Sequence, residues 1–414
     1  MKVAIISSGF LPVVDGVTVT ALYRLKKLSE WGHEVLFFCP DYSALETVYP
    51  NWGDYTGNMF PGVRVINLHS TPFLDLDFER NVSIKSYKTL LKELEKFQPD
   101  IVHVDEAERL FFGFFRRTGI DYAKKAAIPC VCFFRTNFLE YADDYFPLPP
   151  AGIAVVRYIF KQIFLWIYNS YDLTMFTSPI TYEKNVKMGI KKAVYVNLLG
   201  FDSEKFNPNF REESFFAKNY GLPEVDRKVK LIFASRLTPD KGWGFGLKSF
   251  PRIKQIVDWE NVAILVVGDG PMLKEIEDKF KELNLNFYLF GRVAPEKMPA
   301  LFANSDIHAT NSEKENRGLT VIEAFASGIP VIAPRAGGVV ENIEDGVNGF
   351  LYVPQDIEDF SQKLKLLIEN KNLREEMGRK GLECVGKYNW EESVSNLVSI
   401  WEEQVRRNRF SGKK

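Results

Sequence analysis

The sequence predicts an α/β protein built from two doubly wound, Rossmann-like domains facing a central cleft. Three observations predict it. The chain has 414 residues, more than one ordinary hydrophobic core accommodates. Short apolar runs alternate with amphipathic stretches, the rhythm of a parallel sheet covered on both faces. That rhythm resets once, close to residue 200.

In the first half, "KVAIIS" (2–7) reads as a strand, and "VTALYRLKKLSEWG" as a helix that stops at a glycine. "HEVLFFCP" (33–40) is the next strand, "YKTLLKELEKFQ" a helix, and "DIVHVD" (100–105) and "IPCVCFF" (128–134) two further strands. After "NLLGFDSEKFNP" (197–208), five new strands follow: "VKLIFAS" (229–235), "VAILVVG" (262–268), "NFYLFG" (286–291), "IHAT" (307–310) and "PVIAP" (330–334). The domains are therefore placed at 1–198 and 199–388. In such folds a ligand lies outside the carboxyl ends of the strands, and with two such domains the cleft between them is the expected site.

Composition narrows the function classes. Apolar residues make up 46% and a net charge of −1 gives no field to steer nucleic acid. Aromatic residues reach 14%, with 34 Phe, so apolar contact surface is plentiful. "MKVAIISSGFLP" reads as a first strand and not as a secretory leader. The four cysteines, Cys39, Cys130, Cys132 and Cys384, are accordingly expected as free thiols in a reducing compartment. Cys130 and Cys132, two apart in a strand, are read as facing opposite ways, which argues against a metal clip. No run of 18 uncharged apolar residues suggests a spanning helix.

The chemistry concentrates in "SEKENRGLTVIEAFASGIPVIAPRAGG", Ser312 to Gly338. Glu315 precedes a helix, "LTVIEAFASG", and Glu323 lies about one turn inside it. The unpaired N–H groups at such a helix start, near Gly318, Leu319 and Thr320, attract a phosphate anion. Two flanking carboxylates can accept hydrogen bonds from sugar and ribose hydroxyls, so the spacing brackets a sugar diphosphate. Acid near a helix start is also favoured for stability alone, so the pair by itself does not decide. Arg236 and Lys241 in "FASRLTPDKG" follow the first strand of the second domain and can neutralise a pyrophosphate leaving group. "VVGDGP", "FGRV" and "RAGGVVENIEDGVNGFLYVP" add glycines at strand ends, the last followed by Glu341. Gly16, in "FLPVVDGVTVT", sits on the loop after the first strand. Asp75 and Asp77 in "LDLDF" have the spacing of a metal-binding pair, but lack the strand pattern around it. No metal or other cofactor is expected. His103 in "IVHVD" is read either as a strand-end residue facing the cleft on the acceptor side or as a core histidine.

Taken together, "FLPVVDGVT", "DIVHVD", "GFDSEKFNP", "SRLTPDKG", "VVGDGP", "LFGRV", "ENRGLTVIEAFASGIPVI" and "GGVVENIEDGVNGFL" resemble the retaining glycosyltransferases of family 4, which have the two-domain GT-B fold. The resemblance covers nearly the whole chain. It implies that Arg236, Lys241 and Glu315 are catalytic, the two cations on the diphosphate and Glu315 on the donor sugar. It places Gly16, Arg135, Arg317, Gly318 and Leu319 around the donor, Glu323 on the ribose, and Arg292 and Val293 beside the base. His103, Thr136 and Asn137 fall on the acceptor side. A C-terminal helix (389–410), anchored by Trp390 at its start, is implied to cross back to the first domain.

"RTNFLEYADDYF" (135–146), with "ETVYPN", "VDEAERL" and "LNLNFYLFGR", is similar to the plastid and cyanobacterial digalactosyldiacylglycerol synthases. That group implies hexose transfer from a UDP-sugar, UDP-galactose foremost, to a glycolipid such as monogalactosyldiacylglycerol. The alternatives are a sulfolipid-type transferase with an acidic donor and a soluble polysaccharide or glycan transferase. Arg135 stands where the family has histidine. It suits either an anionic donor group or a supporting ion pair with Asp105 or Glu106. "AGIAVVRYIFKQIFLWIYNSY" (151–171) and "LFFGFFRRTG" (110–119) join aromatic and basic residues, as at an anionic bilayer surface, although a buried helix reads the same way. The expected partners are a UDP-sugar, a lipid or glycan acceptor and a membrane surface. The expected location is peripheral, on the cytoplasmic face of a membrane or its plastid or cyanobacterial equivalent.

Overall fold

The computed structural model describes the chain apart from residues 15, 74–75, 136–149, 199, 202–204, 316 and 412–414, with backbone only at 16, 73, 76–79, 150–155 and 411. Two compact units result. Met1–Ala142, Leu148–Gly200 and Asn389–Lys414 make the first, and Phe201–Tyr388 the bulk of the second.

The first unit carries β1 (Lys2–Ile6), β2 (Glu34–Pro40), β3 (Gly57–Phe60), β4 (Val63–Leu68), β5 (Ser70–Phe73), β6 (Leu76–Val82), β7 (Ile101–Asp105), β8 (Cys130–Phe134), β9 (Leu173–Phe176) and β10 (Ala193–Tyr195). Eight of them form one sheet in the order β10-β9-β8-β7-β1-β2-β4-β3, and β5 and β6 form a separate hairpin. All neighbours in the large sheet are parallel except β3, which is antiparallel to β4. Its central strands are buried on both faces. Ala4, Ile6, Val102 and Val104 enter one apolar cluster, and Val3, Ile5 and Ile101 the other.

The helix Trp390–Ser411 covers that second face with Val394, Leu397 and Trp401. Trp390 at its start stacks on Tyr23 at 4.8 Å. Cys130 and Cys132 correct the reading made above: residues two apart in a strand share a face, and both thiols lie in the same apolar cluster. Along the helix Pro150–Tyr168, Phe164, Ile167 and Tyr168 are core residues, whereas Tyr158, Ile159 and Trp166 are exposed. The segment is thus core on one side and surface on the other. Among the described residues no helix is long and apolar enough to cross a membrane.

The second unit holds β11 (Val229–Ala234), β12 (Val262–Val267), β13 (Phe287–Gly291), β14 (Ile307–Ala309), β15 (Val331–Pro334) and β16 (Gly349–Tyr352), all parallel, in the order β13-β12-β11-β14-β15-β16. The sixth strand was hidden in a glycine-rich stretch too short to show a period. This is the doubly wound order in which direction reverses between the first and fourth strands. The ligand crevice therefore lies beyond the carboxyl ends of β11 and β14. The unit's two principal polar loops, Ser235–Gly242 and Thr310–Gly318, start at those two ends.

Candidate functional site

Arg236 and Lys241 leave β11 on a short turn, Pro239–Lys241. Asp240, buried beneath them, aligns both cations: Arg236 lies 3.4 Å and Lys241 4.0 Å from its Oδ2. Lys241 Nζ also donates to Glu315 Oε1 at 2.6 Å. The loops after β11 and β14 are therefore tied together by two of the three residues that the resemblance implies to be catalytic, Lys241 and Glu315. Glu315 is fixed from its other side as well, because its carbonyl accepts from the Gly338 N–H at 2.7 Å. The Gly337–Gly338 loop is thus what holds the Glu315 backbone in place.

Gly318 caps the helix Leu319–Ala326 with φ +64°. A Cβ there would meet Val339 Cγ1 at 2.8 Å, so both backbone and space call for glycine. Gly268 performs a comparable task after β12: a Cβ would fall 1.8 Å from the Ser235 carbonyl. Its absence lets the two loops run side by side.

Arg317 turns its guanidinium to Glu341, with which it forms a close ion pair. This leaves its main chain, not its side chain, toward the helix start. Leu319 opens the helix, and Thr320 Oγ1 meets His308 Nε2 at 3.2 Å. Burial pushes the His308 imidazole down to about 4, so the ring is neutral. Its Nδ1 faces the Ile232 carbonyl at 3.1 Å and must carry the proton; Nε2 then accepts from the Thr320 hydroxyl. Glu323, one turn into the helix, is pushed up to about 7 by burial, opposed by the charge of Lys205. A carboxyl so poised is a functional-site signature. Arg292, exposed after β13, lies with Nε 3.1 Å from Asp269 Oδ2; Val293 follows it, half-buried.

The first-unit candidates divide. Gly16 is the first residue of the helix Gly16–Glu30. Thr136 and Asn137 lie outside the described residues, as does Asp75; Asp77 is described by backbone alone. His103 is wholly buried in the middle of β7 and not at a strand end, which corrects the cleft-facing reading. Its Nδ1 accepts from the Trp401 indole N–H at 3.1 Å. Its Nε2–H therefore points to Asp105 Oδ1, 2.9 Å away. Burial lowers the His103 pKa, against the pull of Asp105. Asp105 is itself buried, yet Arg24, His103 and Arg135 hold its carboxyl below the usual range. Arg135 lies 3.9 Å from Asp105 and over the Phe133 ring at 4.9 Å. These contacts fit its supporting-ion-pair reading. Asp240, Asn342 and His308 are not singled out by the sequence; Asp240 lies in the turn after β11, Asn342 follows the glycine loop and His308 is the middle residue of β14.

Comparison with known proteins follows this geometry. Residues 14–205 match the model described as Glycosyltransferase Family 4, and residues 217–383 that of Glycosyl transferases group 1. The chain is 28% identical over 395 residues to Sulfoquinovosyl transferase SQD2 of Arabidopsis thaliana, covering 91% of this chain and 69% of that one. It is 26% identical over 408 residues to a GDP-mannose-dependent alpha-mannosyltransferase of Corynebacterium glutamicum, covering 98% and 89%. Among solved structures, Anabaena HepE in complex with UDP and glucose superposes with a TM-score of 0.71 at 19% identity, over 97% of this chain and all of that one. That last likeness shows the fold.

Proposed function

The chain is a glycosyltransferase of the GT-B fold, and we propose that it moves a hexose from a UDP-sugar to a glycolipid acceptor with retention of the anomeric configuration. The observation that carries this reading is the meeting of Arg236, Lys241 and Glu315 with the Gly318 helix start at the switch point of the second sheet. The donor diphosphate would lie on the amides of Arg317, Gly318 and Leu319 and on the two cations. These groups stabilise the charge that grows on the departing nucleotide. Glu315 would hold the sugar and Glu323 the ribose, with Arg292 and Val293 beside the base. No covalent nucleophile is assigned: the acceptor attacks from the face the nucleotide leaves, and the leaving phosphate takes the acceptor proton. The reaction is proposed to run without a metal.

A lipid acceptor is supported by the surface of the first unit. Phe115, Tyr158 and Trp166 are 69%, 64% and 51% exposed. Arg117 stacks over the Trp166 ring at 4.5 Å, with Arg116 and Arg157 exposed nearby in sequence. Aromatic rings beside cations suit the headgroup layer of an anionic bilayer. Galactose on monogalactosyldiacylglycerol is the first assignment. Similarity to the sulfoquinovosyl transferase favours an acidic UDP-sugar as the second. The test is a donor screen with UDP-galactose, UDP-glucose, UDP-sulfoquinovose and GDP-mannose. Each is offered with vesicles of monogalactosyldiacylglycerol or diacylglycerol. Galactose transfer to the galactolipid is expected. Transfer from the acidic donor alone would select the second reading, and transfer only to soluble glycans would remove the lipid acceptor.

A further inference from the structure

The peptide that joins Arg317 to Gly318 carries the donor N–H of the helix start. A peptide unit is planar and trans, so its N–H points opposite to its carbonyl. Gly318, at φ +64°, is the residue type about which such a plane flips most readily. Something must therefore hold the Arg317 carbonyl. That partner is Asn342, whose Nδ2 donates to it at 2.5 Å. Asn342 is buried and fully engaged: its Oδ1 accepts from the Tyr388 hydroxyl at 2.5 Å, and its own carbonyl accepts from Asn348 Nδ2 at 3.1 Å. The Arg317 carbonyl also fixes the amide orientation, because a carbonyl only accepts and so selects the NH₂, leaving Oδ1 for the Tyr388 hydroxyl. Arg317 closes the arrangement, with its guanidinium paired to Glu341 and lying 5.9 Å over the Tyr388 ring. Tyr388 is the last residue of the second unit.

We propose that Asn342 and Tyr388 are positioning residues for the nucleotide diphosphate: they lock the Arg317–Gly318 peptide with its N–H toward the phosphate site. The inference rests on the reading that this helix start binds the donor diphosphate. Neither residue is among those assigned to the nucleoside, which are Glu323, Arg292 and Val293. The lock therefore acts on the preference for a nucleoside diphosphate over the bare nucleoside, and a merely structural role would leave that preference alone.

The test measures binding of UDP against uridine and of GDP against guanosine, well below the melting temperature, in the full chain and in N342A and Y388F. The parent is expected to bind the diphosphate more tightly than the nucleoside. N342A should lower that preference about tenfold with nucleoside affinity unchanged. Y388F keeps the ring and removes only the hydroxyl, so it folds even if N342A does not. Its preference should fall about threefold. A parent without diphosphate preference in either series would overturn the donor-site reading and this inference with it. A parent that discriminates, with a Y388F variant that keeps the full preference, would overturn the inference alone.

Discussion

Lys241→Ala is the most direct perturbation of the proposed chemistry. Lys241 Nζ is 2.6 Å from Glu315 Oε1 and its side chain is only 15% exposed, so its charge is poorly screened. A unit charge about 4 Å from a phosphate oxygen, at an effective dielectric near 20, is worth about 4 kcal/mol. Part of that acts on the bound donor already, and only the share gained as charge develops on the leaving nucleotide accelerates the step. Turnover should therefore fall by about 10² to 10³, the range seen when one preorganised electrostatic donor is removed. Stability loses the pair with Glu315, which is open enough to be solvated alone, and the 4.0 Å contact with Asp240, which keeps Arg236, so the cost is about 1 kcal/mol. The melting temperature should drop by about 2 to 4 °C. The assay is radiolabelled sugar transfer at saturating donor, beside a thermal melt of the same preparation. A folded variant retaining more than a tenth of parental turnover would refute the assignment of Lys241 to the diphosphate.

Three further outcomes are expected. Because burial pushes Glu323 up to about 7, donor affinity should rise as pH rises through 7 and the carboxylate, the stronger acceptor for ribose hydroxyls, forms; E323Q should flatten that profile. The stability sign is opposite. A carboxyl with a raised folded pKa contributes stability below its unfolded value that is lost as pH rises through about 7, so E323Q should melt less pH-dependently than the parent, and an unchanged profile would exclude Glu323 as the titrating group. Gly318→Ala places a Cβ against Val339 at positive φ and should cost about 1 to 2 kcal/mol in a chemical denaturation curve, with donor turnover reduced further than stability explains. On vesicles, R116A and R117A should each weaken binding to anionic lipid by about 1 kcal/mol, an effect that salt abolishes; equal binding of parent and variants at low salt would detach this surface from the membrane.

The legibility of the chain follows local chemistry. β1, β2, β7 and β8, and β11 to β15, are visible because each is an apolar run that needs no knowledge of its neighbours, buried in all but the half-buried β13. β16 and β3 are four residues each, and their pairing is set by the strand beside them. Arg236, Lys241, Glu315 and Gly318 could be singled out as candidates because they follow strand ends, where this topology binds its ligands. His103 is open to two readings because it lies two residues before a strand end; its complete burial and the Trp401 indole, 298 positions away, show that its ring belongs to the core. Arg135 is the intermediate case. Its departure from the family histidine is plain in the sequence, but its partner, Asp105, was one of two that sequence proximity allowed. Asn342 carries no signal of its own, since its role depends on a carbonyl 25 positions earlier.

The ion pairs around the site also set an order among the cations. Arg292, Arg317, Lys241 and Arg236 each face a carboxylate, but not equally. Arg317 is held closely by Glu341 and is 11% exposed; moving it would leave a partly buried acid behind, a cost that argues for a fixed structural charge. Lys241 has three N–H donors on a rotating ammonium, so it can keep Glu315 at 2.6 Å and still offer a bond to a phosphate. Arg236 meets Asp240 at 3.4 Å and is 31% exposed, so its guanidinium is accessible to an anion. In the proposed site Lys241 and Arg236 would serve the diphosphate together, one sharing its charge with the residue assigned to the donor sugar and the other acting from the β11 side. This arrangement would link the proposed sugar and phosphate sites through one ammonium. A donor sugar that displaces Glu315 should therefore shift phosphate affinity through Lys241 as well, and that coupling should vanish in a Glu315→Gln variant, whose neutral amide no longer competes for the same charge.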